Sequence, residues 1–555
     1  MTVAGGRTLC APMRCWDCAE RVRPVVNGSN GAGLTLASYF GAFAPVPDWE
    51  EVVSWPPDVF ALANLVLDHT ESYRFVVAPC TGRRWPPLPD WTGEVRSAAR
   101  EWAEAGRRCG GELPALVRRS WETVARHRDV ALEAIRNGEA GELNEALLTL
   151  HAAADETCAE VAASGRSAPA ESFEHCAWRL LHERGSLSRL SPTRVRVVPK
   201  THLSAHGITI RSLSRHLALC YEAVDVRWRS VELAARPATG EYSIVLAPWP
   251  FKVSSRDFRP TAPPVLENMD TNRYGFFEFS PEQAINLRWL RTLLQAALGE
   301  TGRVDVLVLP EGAVGTHEVA GVEQTLDDHG VSLLIAGVRQ PPRHGAFGRN
   351  YLHFGARGPA GWLRYEQDKH HRWFLDETQL RQYHLTRSLA PKKLWWEAID
   401  IRARIQHIID IGGGLTVAPL VCEDLARLDE VADLVRRIGP SLVVSLLLDG
   451  PQISARWPCR YASILVDEPG STVLTLTSYG MVARCRPPGR RRSRAIAHWH
   501  DRHDGLREIE LARGSAGVLL SASLESRTLW TADGRFHAGV PGLALRDVRQ
   551  LPAVG

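Results

Sequence analysis

The spacing of apolar residues changes character near residue 240. Before it, the helical period dominates: Val95 to Arg107, Leu113 to Ile135 and Leu143 to Ala162 each carry apolar residues every three or four positions. Asn137-Gly138 separates the second stripe from the third and predicts a helical hairpin. Pro57 to Leu67 opens with Pro and Asp and continues at helical spacing. Phe173 to Leu181 and Ile208 to Val224 predict further helices. Tyr73 to Val77 reads as a short strand, Leu187 to Leu203 as irregular, and Trp228 to Ala235 as extended. Arg83 to Trp91 is a Pro/Trp-rich connector, and residues 1–95 as a whole read as an irregular segment.

After residue 240 the pattern becomes short, continuously apolar runs bounded by turn residues, which is how strands buried on both faces read. These are Tyr242 to Trp249, Val304 to Val314, Val331 to Val338, Asn350 to Phe354, Leu415 to Val421, Ser441 to Leu448, Val473 to Gly480 and Gly517 to Glu525. Helical stretches alternate with them: Ala284 to Leu298 after a Ser280-Pro281-Glu282 start, Val319 to His329, Asp429 to Arg437, and the Trp457 to Ala462 region. Strand–helix alternation of this kind defines an α/β class. The polar, Pro-containing connection from Pro250 to Phe279 exceeds what a compact unit needs and is expected over the mouth of a site. The pattern divides the chain into an irregular segment (1–95), a mainly α-helical domain (96–240), an α/β domain (241–537) and a tail extension (538–555), with Arg236 to Gly240 as the boundary.

Two of the apolar runs, and one polar stretch between them, deliver chemistry. Leu415 to Val421 ends at Cys422, followed by Glu423 and Asp424; a thiol at the carboxyl end of a buried strand is how α/β enzymes present a nucleophile. Alone, a buried cysteine is more often a small hydrophobe. Val304 to Val314 carries Glu311 near its end, and Trp362 to Trp373 holds Lys369. A carboxylate base, a cation and a thiol on successive elements form a complete set for acyl transfer.

In this order and context, residues from about 242 to 537 resemble the nitrilase superfamily of carbon–nitrogen hydrolases. Pro310-Glu311 after a strand, Lys369 after a hairpin and Cys422-Glu423-Asp424 at a strand end match the family's motifs. The resemblance implies an α-β-β-α sandwich. It implies a Glu311, Lys369, Cys422 triad, with Glu377 as a second glutamate orienting the lysine and the backbone N–H at Glu423 helping to hold an oxyanion. It also implies homo-oligomerisation, no cofactor and no catalytic metal. The Cys-Glu-Asp form is most like the family's glutamine-hydrolysing domains. His370-His371-Arg372 departs from the pattern, which places an apolar residue after the lysine.

Composition narrows the picture. The chain has 555 residues, 45% apolar and 23% charged, with a formal net charge of +3, too small to point to nucleic acid or a membrane surface. No apolar run is long enough to span a bilayer, and the N-terminus lacks a secretory pattern. Eleven cysteines without regular spacing read as reduced thiols in a bacterial cytoplasm. Cys10, Cys15 and Cys18 lack a fourth ligand for structural zinc, so free thiols are the plainer reading. His498, His500 and His503 with Asp501 and Asp504 have the residue types of a metal site, and surface polarity explains them as well. Arg484 to Arg494 is basic, with a solvated insertion favoured over nucleic-acid contact.

The expected activity is hydrolysis of a small amide, with nitrile or glutamine-type substrates as variants, through a Cys422 thioester. The alternative is an effector or regulatory protein, for example in a bacterial defence operon, with residues 1–240 recruiting a protein partner and the hydrolase fold serving as sensor or scaffold.

Overall fold

The computed structural model describes residues 33–43, 49–77, 90–107, 112–204, 207–220, 224–234, 240–261, 269–342, 346–427, 431–486 and 492–553. Cys10, Cys15 and Cys18, most of the Arg83 to Trp91 connector, Arg236 to Thr239, and the centre of the Arg484 to Arg494 stretch lie outside them.

Two seven-stranded mixed sheets face each other. The first runs Gly361–Asp368, Arg349–Gly358, Leu333–Gln340, Val306–Gly315, Glu241–Leu246, Ser515–Trp530 and Phe536–Pro552. The second runs Gly505–Glu510, Ala495–Asp501, Thr472–Thr477, Leu442–Leu447, Thr416–Val421, Ile405–Asp410 and Asp225–Ser230. In each sheet the three neighbouring central strands are parallel and antiparallel strands flank them. Val306–Gly315, Thr416–Val421, Leu442–Leu447 and Thr472–Thr477 are buried along their whole length, which is why their sequences are largely apolar rather than alternating.

Successive side chains still point to opposite faces. Val306, Val308 and Ile335 meet Val417, Val444 and Leu474 between the sheets. Leu307, Leu309 and Leu334 face outward onto helix Leu287–Thr301, through Leu290, Leu293, Leu294 and Ala297, and onto helix Val319–Asp328, through Val322 and Leu326. On the other side Ala418, Leu420, Val443 and Val473 pack on helices Asp433–Ile438 and Trp457–Asp467. The layers are therefore α-β-β-α, as expected. The first of these helices begins at Leu287 rather than at Ser280. The Asn286 side chain accepts from the N–H groups of Arg288 and Trp289 at 3.0 and 3.1 Å, a stronger start than a Pro at the first turn.

Among the described residues, the apolar core of the N-terminal half is continuous with the outer face of the second sheet. Phe60, Leu62, Leu147 and Leu150, from helices Pro56–Thr70 and Gly141–Thr157, belong to the same apolar cluster as the outer face of the second sheet. Strand Asp225–Ser230 is hydrogen-bonded in parallel to Ile405–Asp410. The expected boundary near residue 240 thus separates an edge strand from its own sheet. The segment expected to be irregular holds helices Leu36–Phe43, Trp49–Val53 and Pro56–Thr70, and the expected strand at Tyr73 is a tight helical turn, Ser72–Val76. The expected helix over Ile208 to Val224 is instead a short turn and strand Leu217–Cys220, paired antiparallel with Arg196–Pro199. All four residues of Leu217–Cys220 are buried, so sheet pairing overrides the helical spacing. The expected tail is a strand, Phe536–Pro552, paired along Ser515–Trp530.

The long connection after Trp249 contributes Phe258–Thr261 and Tyr274–Phe279 to a third, four-stranded sheet, completed by Phe374–Leu375 and Leu394–Glu397. This small sheet bounds a cavity of about 280 Å³, lined by Glu278, Phe279, Ser280 and Glu397 together with Gly312, Asn350 and Leu448. Among the described residues, no helix is long and apolar enough to cross a membrane.

Candidate active site

Glu311 sits where its strand leaves the ladder. The register with Leu333–Gln340 shifts between Leu309 and Val314, and Gly312 takes a φ of 64°. The looped-out segment lies directly on Gly337, where an added Cβ would come within 2.3 Å of the Glu311 Cα, so the approach requires glycine. The carboxylate is fully buried.

Lys369 follows strand Gly361–Asp368, and its backbone N–H donates to Asn350 O at 2.9 Å. Its Nζ lies 2.8 Å from Glu311 Oε1 and 2.7 Å from Glu397 Oε2. Asn350 Nδ2 closes the group, donating to Glu311 Oε1 at 2.7 Å and to Glu397 Oε1 at 2.6 Å. Glu397 Oε2 also accepts from the Trp373 N–H at 3.1 Å. Among the described residues, Glu311 Oε2 is buried without a hydrogen-bond partner, as is Asn350 Oδ1.

Cys422 begins a tight turn, Cys422–Ala426, immediately after strand Thr416–Val421, and is 2% exposed. Its φ of 45° lies in the left-handed region, which costs a non-glycine residue on the order of 1–3 kcal/mol. Such strain persists only where the surroundings over-determine it. Asp424, two residues on, supplies part of that constraint. Its carboxylate accepts from the His370 N–H at 3.1 Å and sits 2.9 Å from His371 Nδ1, tying the turn of Cys422 to the loop of Lys369. The basic run after Lys369 is thereby explained: His371 meets Asp424, His370 Nε2 lies 3.0 Å from Ile405 O, and Arg372 Nε donates to Ile399 O.

Electrostatics link the three groups. Burial pushes the Cys422 thiol well above its ordinary range, and Glu311 adds to this; Lys369 and the backbone at Leu448 oppose it. Burial works against the charge on Lys369, but Glu311 and Glu397 outweigh it and hold the ammonium well above its usual value. Glu311 is raised, by burial first, with Lys369 opposing and Glu397 reinforcing. The resting state is a neutral thiol beside a buried ammonium shared by two glutamates.

Glu377 is not part of this group. Asp376 caps the short helix Glu377–Gln382, accepting the Gln379 N–H at 2.8 Å. That places Glu377 in the first turn, more than half exposed, where it bonds Arg381 at 2.6 Å. Glu397 occupies the position expected of it. Neither Glu397 nor Asn350 stood out in the sequence. The available signals were a lone carboxylate in the aromatic run Leu394–Glu397 and an amide at the start of a buried strand. The Glu423 side chain turns away to Arg427 at 2.7 Å, leaving only its backbone near the thiol.

The other sequence candidates are structural. His498 is buried with Nδ1 3.0 Å from Thr475 Oγ1, and Asp501 accepts from Trp499 Nε1 and from the N–H groups of His503 and Asp504. They do not converge on a common point. Arg484 and Arg494, flanking the basic stretch, are held by Val253 O and by Tyr479, respectively. Among the described residues, Cys158, Cys176, Cys220, Cys422, Cys459 and Cys485 are not joined in disulfides.

No family model matches the sequence. A stretch of 57 residues is 46% identical to the methylthioribose-1-phosphate isomerase of Synechococcus sp. (strain CC9605), so the match spans 10% of this chain and 17% of that relative's length. Among solved structures, the chain is similar to Saccharomyces cerevisiae Nit3, a member of branch 10 of the nitrilase superfamily (TM-score 0.28, 11% identity, 57% of this chain and 93% of that one). It is also similar to the C. elegans NitFhit protein (TM-score 0.30, 14% identity, 48% of this chain and 57% of that one). Scores this low add nothing to the fold assignment, which rests on the order of layers above.

Proposed function

We propose that the sandwich is a carbon–nitrogen hydrolase acting on a small amide through Cys422. The observation that carries this reading is the state of Glu311. One carboxylate oxygen is saturated by Lys369 and Asn350, and the other is buried, unpartnered and electrostatically coupled to the thiol. A buried carboxylate with a raised proton affinity and one open oxygen is equipped to receive a proton at neutral pH.

In the proposed cycle Glu311 Oε2 takes the Cys422 proton as sulfur attacks the substrate carbonyl carbon. Lys369 Nζ and the backbone N–H at Glu423 receive the developing oxyanion; one such donor is commonly worth about 3 kcal/mol of transition-state stabilisation. The C–N bond breaks, Glu311 returns the proton to the leaving amine, and a thioester remains. Glu311 then deprotonates a water that cleaves the thioester to a carboxylic acid and free thiol. Glu397 and Asn350 fix Lys369 and Glu311 throughout. The cavity, at about 280 Å³, suits a substrate of few heavy atoms.

The test is chemical. Cys422 is expected to react with iodoacetamide faster than the other described cysteines, and Glu311→Gln is expected to remove that preference while the fold persists. An unchanged preference in Glu311→Gln would take the base assignment away; no preference in the wild type would favour the scaffold reading.

A further inference from the structure

Far along the chain from the Cys422 group, three potential ligands converge where the N-terminal helices meet the C-terminal strand. Glu156 lies near the end of helix Gly141–Thr157, His216 just ahead of strand Leu217–Cys220, and His537 near the start of strand Phe536–Pro552. One ligand atom from each lies within 4.8 Å of the other two, and all three side chains are only partly buried. The imidazole rings meet edge to face with centroids 4.8 Å apart.

The arrangement leaves an unusual residue of polar atoms. His216 Nε2 and His537 Nε2 are both buried without a hydrogen-bond partner. The second lies 3.4 Å from Glu156 Oε1, an ion-pair distance that falls short of a well-formed hydrogen bond. Buried polar nitrogens are normally satisfied, and two orphans facing one carboxylate call for a shared partner.

The positions are also built rather than incidental. The neighbouring Asp155 accepts from the backbone N–H groups of Arg215, His216 and Leu217 at 2.7, 2.8 and 2.8 Å, which fixes the backbone of His216. Fully buried Arg535 donates to Glu156 Oε1 at 3.0 Å and to Asp155 at 3.2 Å, orienting the Glu156 carboxylate as outer partners orient metal ligands. Arg96 stands 3.9 Å from the other Glu156 oxygen and is about a third exposed, so it can withdraw into solvent.

We propose that Glu156, His216 and His537 bind a divalent transition ion of the zinc type. Two imidazole nitrogens and a carboxylate oxygen suit Zn²⁺, Co²⁺ or Cu²⁺ rather than Mg²⁺ or Ca²⁺. Because the ligands come from the helical half, the small sheet of Leu217–Cys220 and the C-terminal strand, the ion locks together three segments distant in sequence. This inference does not depend on the proposed hydrolase reading.

The experiment loads the full chain, stripped with chelator, with Co²⁺ and then removes excess metal. About one retained equivalent is expected, with visible bands of nitrogen–oxygen ligation and no thiolate charge-transfer band. His216→Gln and His537→Gln are each expected to abolish retention with circular dichroism unchanged. No retained ion, retention unaltered in both variants, or a thiolate band would overturn the proposal. Pulsed EPR of the Cu²⁺-loaded wild type needs no variant: coupling to two imidazoles is expected, and its absence also overturns the assignment.

Discussion

Replacing Glu397 with Gln tests the electrostatic design of the site without changing its shape. The glutamine carbonyl can still accept from Lys369, so what is removed is one negative charge. Glu311 and Glu397 share Lys369 at 2.8 and 2.7 Å, which sets the two carboxylates roughly 5 Å apart; at an effective dielectric near 20 their repulsion is about 3 kcal/mol. The sign follows from the geometry: Glu397 pushes the proton affinity of Glu311 up, so its neutralisation lets that affinity fall. Glu311 in Glu397→Gln is then a weaker base that is already deprotonated at lower pH. The assay is the pH dependence of Cys422 alkylation, resolved by peptide mass spectrometry. Its acid limb is expected to move to lower pH and its plateau to fall, as weaker bases transfer protons more slowly. A limb that stays in place would refute the coupling, and with it the role of Glu311 as the base.

Other outcomes follow from the same contacts. Glu377→Gln is expected to leave Cys422 alkylation unchanged and to alter urea stability by less than about 0.5 kcal/mol, since the residue is exposed. Asp424→Asn removes the carboxylate's charge and turns one of the two oxygens facing the His370 N–H and His371 into a donor; a loss of about 1–3 kcal/mol in urea unfolding and slower Cys422 alkylation are expected together. Gly337→Ala drives a methyl against the Glu311 backbone and is expected to lower alkylation more than it lowers stability. Burial holds His151, His202 and His498 to about 3, against an ordinary value of 6.5. The unfolded chain therefore binds more protons below 6.5, so their contribution is complete above that pH and is lost as pH falls toward about 3. Urea midpoints measured from pH 7 down to 4 should decline across this window; a flat profile would contradict the neutral, buried state of these rings.

What was legible in the sequence depended on whether the determinants were local. Val306–Gly315 and Thr416–Val421 are buried on both faces, so their continuous apolar composition announced the strands, and Glu311 and Cys422 stood out as the groups ending them. Lys369 was found because it follows a hairpin. Glu397 was missed because its strand, Leu394–Glu397, belongs to a sheet closed by Tyr274–Phe279, more than a hundred residues upstream, and no local period encodes that pairing. Chain distance favoured Glu377 instead, yet a capped helix start turned that side chain outward. The helical stripes before residue 200 showed which faces are buried. They did not show what buries them, and so concealed that Leu62 and Leu150 share a core with Leu420 and Val443. Strand Asp225–Ser230 carries alternating polar residues because it is an edge, which weakened its signal.

The central claim is that Cys422 carries the acyl group of an amide substrate. The direct measurement is intact-mass and peptide mapping of the wild-type protein quenched during incubation with a panel of small amides, nitriles and glutamine analogues. The account predicts an acyl increment on Cys422 for at least one amide, with amine released in step and the adduct absent from Glu311→Gln. An unmodified Cys422 across the whole panel, with alkylation no faster than at Cys459 or Cys485, would contradict it.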